Sequence, residues 1–111
     1  SDLALEYANS ALDAAREAYK SGDIDKTKSA LDEVEQSIDL SYDSLADSGK
    51  DPHKSGAFKR AELKARELVR RLDGLVQSAS FTDQDMFERV KGRISSIHDD
   101  LLNGILSKKK K

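Results

Sequence analysis

Four stretches of the chain carry apolar residues at alternating three- and four-residue spacing. They are Leu5, Ala8, Leu12, Ala15, Tyr19; Ile24, Thr27, Leu31, Val34, Ile38, Ser41, Leu45; Phe58, Ala61, Ala65, Leu68, Leu72, Leu75, Ala79; and Phe87, Val90, Ile94, Ile97, Leu101. That spacing places one apolar stripe along each of four helices. Only the second stripe has polar members, Thr27 and Ser41. The alanines of the first require its neighbours to approach closely.

Local signals set the boundaries at about residues 2–20, 24–47, 56–78 and 83–106. Ser1 or Asp2 can cap the first helix, and Asp2 and Glu6 suit the positive end of its dipole. Gly22 suits the left-handed residue that closes a helix, and Asp23 suits the next N-cap. Gly49 and Pro52 end the second helix, and Ser48 to Gly56 is the longest loop. Thr82 with Asp85 resembles an acidic capping box, with Phe81 and Met86 as its hydrophobic staple. Short links force consecutive helices antiparallel. The fold class is therefore all-α, an antiparallel up-down-up-down four-helix bundle, in a single domain over residues 1–107. Residues 108–111 form a basic tail, expected to be disordered. Tyr19, Ile24, Ala79, Phe81 and Met86 should gather at one end; Leu5, Leu45, Phe58, Leu101 and Ile105 at the other.

Composition fits long helices with a thin core: 37% hydrophobic and 36% charged residues in 111. Sustained apolar periodicity separates such a chain from a disordered one. No apolar run reaches the roughly 18 residues that a membrane-spanning helix needs. The first residue is Ser1 rather than methionine, so a processed start is expected, and the compartment stays open.

The net charge of −2 conceals a division. Residues 1–51 hold 13 acidic and 5 basic side chains, a net of −8; residues 52–111 hold 8 and 14, a net of +6. Helix 2 is acidic and helix 3 basic, so the two are expected to lie side by side. The basic end is the sharpest candidate site. Lys50, His53, Lys54, Lys59 and Arg60 lie where both termini return, and the tail adds Lys108, Lys109, Lys110 and Lys111. Such a cluster suits an anionic membrane surface or a polyanion such as nucleic acid.

Several chemistries are absent. Without cysteine there is no disulfide, thiolate zinc site or cysteine nucleophile. Di-metal bundles need Glu-x-x-His pairs, but Ser95 precedes His98 by three and Lys50 precedes His53. His98 reads as a residue at the stripe's edge, and Asp99 and Asp100 face different directions. His53-Lys54-Ser55-Gly56 does not match a phosphorelay helix, and neither Gly-rich phosphate motif occurs. Asp32 and Glu35 read as solvated surface charge. No cofactor, metal or small-molecule substrate is expected, and no enzyme activity.

The segment Ala15, Ala18, Tyr19, Gly22, Asp23, Ile24, Lys26, Leu31 resembles the turn of a tetratricopeptide hairpin. That family would imply peptide binding in a groove. Thr27 departs from its usual alanine, helix 2 runs past its usual length, and no second repeat follows. The resemblance therefore reads as a shared solution to a tight turn. Leu40, Leu63, Leu102 and Leu106 fall outside the strict stripes, and Gly74 and Gly92 fall on outward faces. The expected role is a non-catalytic interaction or scaffold module acting on a protein partner or on a second copy. Binding of an anionic surface by the basic end is the alternative.

Overall fold

Gly22 turns the first hairpin. Its φ of +83° is the left-handed conformation that glycine adopts without a Cβ clash. Asp23 N donates to the Ala18 carbonyl and Gly22 N to that of Tyr19, closing the helix in a Schellman pattern. The Asp23 carboxylate then accepts from Lys26 N at 3.0 Å and starts the second helix. Thr27, buried at this turn, donates its hydroxyl to the Asp23 carbonyl at 2.7 Å, which an alanine there could not do.

The computed structural model describes residues 2–107. It contains α1 (Asp2–Lys20), α2 (Ile24–Asp47), α3 (Gly56–Ser78) and α4 (Gln84–Leu106), with a short 3₁₀ turn at Phe81–Asp83. Ser1 and the expected tail at 108–111 lie outside the described residues. The chain is an all-helical four-helix bundle, with each helix antiparallel to the one before it.

Two hairpins, α1–α2 and α3–α4, pack on each other. Alanines 8, 11, 15 and 18 of α1 are buried and permit close packing. The Cα envelope measures 53 × 23 × 15 Å. The smallest dimension equals one helix spacing of about 10 Å plus a backbone radius of about 2.3 Å on each side. The core is therefore one layer thick, filled by Leu12, Leu31, Ile38, Leu68, Leu72, Phe87, Ile94 and Leu101.

The order around the bundle corrects one expectation. α1 meets α3 and α2 meets α4, so α2 and α3 face each other across the short diagonal. Among the described residues no Cα of α1 comes within 8 Å of one in α4. Charges pair accordingly. Arg60 and Arg71 of α3 reach Asp2 and Asp13 of α1, and Arg93 of α4 reaches Asp39 of α2 at 2.9 Å. The acidic helix 2 is thus answered by α4, because the connection 48–55 crosses the diagonal.

The start of α4 also differs. Phe81 is 89% exposed and does not staple Met86, and Thr82 is not the cap. Tyr19 supplies the organising group instead. Its hydroxyl accepts from Ser80 N and donates to Asp83 Oδ2, both at 3.0 Å, and its ring meets Phe87 edge-on at 5.1 Å. Gln84 Nε2 donates to the Val76 carbonyl and closes the end of α3. A tyrosine from the neighbouring hairpin thereby replaces the local capping box.

Gly74 and Gly92 face open space, where a Cβ would meet nothing within 4 Å. Ser41 is 1% exposed, and its Oγ has no hydrogen-bond partner. Leu72→Ala should cost about 2–5 kcal/mol by opening a cavity. Ser41→Ala should be neutral or stabilise by about 1 kcal/mol, since it removes an unpaired buried hydroxyl. Urea denaturation monitored by circular dichroism reads both, and a large loss in Ser41→Ala contradicts the assignment.

Candidate functional site

The loop 48–55 and the first turn of α3 build the basic end. Ser55 Oγ accepts from Phe58 N at 3.3 Å and fixes the helix start. Lys50, Lys54 and Arg60 line one open groove, together with Asp51, Ser55, Gly56 and Ala57. Arg60 also reaches Asp2 at 3.5 Å. Lys59 is exposed but does not line the groove. His53 is used differently: its Nδ1 lies 3.0 Å from the Ile105 carbonyl, the geometry for tying the loop to the end of α4. Pro52 packs close to Gly104, where a Cβ would come within 3.2 Å of the proline ring. Of the expected cluster, three cations are brought together. Lys108, Lys109, Lys110 and Lys111 lie outside the described residues.

A second group was not foreseen. Glu62 of α3 is only 5% exposed. Arg66, one turn on, grips both its oxygens at 2.7–3.0 Å, and His98 Nε2 of α4 lies 2.8 Å from Oε2. The exposed Asp99 approaches the other ring nitrogen at 3.3 Å. Burial alone would push the Glu62 carboxyl up, but hydrogen bonds from Arg66 and His98, with their charges, outweigh it and hold the carboxyl below its ordinary value. With both oxygens engaged, Glu62 clamps α3 to α4. The sequence contained a faint signal. Glu62 follows Phe58 by four and Ala61 by one, and His98 stands in the same relation to Ile94 and Ile97. The antiparallel register of α3 and α4, in which Lys91 also meets Asp73, brings the two positions face to face. Among the described residues there is no group of three or more side chains that could hold a metal ion.

A third feature is an exposed apolar strip. Leu3 is 81% exposed, Tyr7 53% and Leu40 60%. Leu3 and Tyr7 lie one turn apart on α1. The Tyr7 hydroxyl donates to Glu33 Oε1 of α2 at 2.8 Å, and that bond, with the nearby carboxylate charge, raises the hydroxyl above its ordinary range. Leu40 lies two turns beyond Glu33 on the same flank. Measured back from the Gly22 turn, Leu3 stands level with Ser41, beside Leu40. The three side chains therefore share the outer seam of α1 and α2. Leu63 and Leu106 are also exposed, on the other hairpin, and Leu102 is half-buried.

The clamp has a pH signature. Glu62 ionises more readily in the folded chain than in the unfolded one. Its contribution is therefore complete above the unfolded carboxyl value of about 4.3 and is lost as pH falls through the lower folded value. Glu62→Gln should cost about 1.5–3 kcal/mol at neutral pH by removing charge-assisted bonds. Urea melts at stepwise lower pH should show the gap between the two proteins narrowing through the carboxylate range, and a constant gap contradicts the clamp. Comparison of the chain with protein-family models, with characterised proteins and with solved structures yields no match, so the tetratricopeptide-like turn stays a local likeness.

Proposed function

We propose that this protein is a non-catalytic interaction module whose contact surface is the outer α1–α2 seam. The observation that carries this reading is the exposure of Leu3, Tyr7 and Leu40 side by side on a bundle whose stripes are otherwise filled by packing. Grouped apolar side chains rimmed by polar ones characterise protein contact surfaces, and tyrosine is enriched there. The partner is a protein, with a second copy as the other possibility. The three chemical groups of the bundle support the same view. Glu62 and His98 are consumed in holding α3 to α4, and His53 in holding the loop.

The groove of Lys50, Lys54 and Arg60 favours a second reading, binding of an anionic membrane surface or nucleic acid. It is the weaker one, since Asp2 and Asp51 already stand against these cations.

A photo-crosslinking residue in place of Tyr7, introduced in the cells that make the protein, tests the first reading. Discrete protein adducts are expected at that position and not at exposed Ser96 of α4. Equal labelling at both sites contradicts it. Sedimentation with anionic vesicles or DNA at low and high salt serves as the counter-test. Salt-sensitive binding that disappears in a Lys50→Ala/Lys54→Ala/Arg60→Ala variant replaces the first reading with the second.

A further inference from the structure

The apolar strip lies in an unusually one-sided field. Residues 1–15 hold three carboxylates and no lysine or arginine, and residues 29–49 hold six and none. Residues 2–15 and 29–47 form the greater part of the α1–α2 hairpin, remote from Gly22, where Leu3, Tyr7 and Leu40 sit. Some of the acids are answered from the other hairpin, namely Asp2, Asp13 and Asp39. Glu6, Asp43 and Asp47 have no cationic partner within 4 Å among the described residues. Asp43 and Asp47 follow Leu40 by three and seven, so they continue its ridge. Glu6 turns to the other flank of α1, where it lines a groove with Arg60 and Lys64 of α3. Two antiparallel helices that expose apolar residues along their shared seam, with unpaired acids on the α2 side, offer a surface that suits a third helix.

Resting on the reading of this seam as the contact surface, we infer that it docks a cationic amphipathic helix of a partner protein. The partner's apolar stripe covers Leu3, Tyr7 and Leu40, and its lysines or arginines lie over Asp43 and Asp47. Charge decides against the other occupants. A symmetric pair of seams would set like carboxylates against each other. A polyanion or an anionic membrane meets the same repulsion. A second copy could offer Lys59, Leu63 and Arg70 of α3, but that strip has one exposed leucine, and Arg66 within it is held by Glu62. A cationic helix with its own apolar stripe matches both the charge and the apolar character of the seam.

The test uses the full chain and three labelled synthetic peptides: leucine and lysine at helical amphipathic spacing, the same composition scrambled, and a leucine–glutamate analogue. Fluorescence anisotropy gives affinity, and amide shifts map the site. The ordered cationic peptide should bind about tenfold more tightly than the scrambled one, and the Leu3→Ser/Tyr7→Ser/Leu40→Ser variant should lose about tenfold. Asp43→Asn/Asp47→Asn should weaken binding and flatten its salt dependence. Shifts should concentrate at residues 3–14 and 36–47. Because the substituted side chains are exposed, the variants' thermal midpoints should stay near that of the parent, which checks that they fold. Equal binding of the scrambled peptide, or an undiminished triple variant, overturns the inference. Preferential binding of the leucine–glutamate analogue at the seam overturns the partner's charge but leaves the seam as a contact surface. If no peptide reaches the seam, both readings fall. A concentration-dependent dimer that buries the seam and resists the peptide makes a second copy the occupant and overturns the inference.

Discussion

Two antiparallel hairpins share a single layer of side chains, and every other feature of the molecule depends on that stacking. A layer this thin gives each helix one inward stripe and a wide solvent-facing surface. It explains why a chain with so high a charged share still folds: the stripes need few residues, and those few are nearly all buried. It also explains why polar intruders matter. Thr27 is tolerated because its hydroxyl returns to the Asp23 carbonyl, whereas Ser41 finds no partner.

Stacking also decides where charge goes. Placing α3 beside α1, and α4 beside α2, draws the basic residues of the second hairpin onto the acids of the first. Surface pairs of this kind are worth about 0–1 kcal/mol each, so their influence falls mainly on which faces meet. The buried Glu62 differs, because it is desolvated and then compensated by Arg66 and His98. Unanswered acids remain on the outer α1–α2 seam, where apolar side chains are also left uncovered. One packing choice thus yields both a neutralised interior seam and an acidic outer one.

Much of the fold was legible because its signals are local. Gly22 and Asp23 define the first turn by backbone conformation and capping, and the predicted helix limits agree with the observed ones to about one residue. The start of α4 is not legible locally, because Tyr19, distant in sequence, captures Ser80 and Asp83 and displaces the local box at Thr82. The order of helices is hidden for a related reason: bulk charge on helices 2 and 3 says nothing about which diagonal is short. Of the candidate site, Lys50, Lys54 and Arg60 do converge, while His53 is drawn to a helix end that only the folded chain presents. Glu62 and His98 sit beside stripe positions, so periodicity marks them as marginal, and only the α3–α4 register turns them into a pair.

The stacking order can be tested directly, because the absence of native cysteine makes a single labelled position clean. A nitroxide on Asp13→Cys, read by paramagnetic broadening of backbone amides, reports which helix flanks α1. Broadening should be stronger around Arg71 of α3 than around residues 89–93 of α4. The reverse ranking, with α4 broadened more strongly than α3, would show a sequential ring of helices and contradict the stacked-hairpin account.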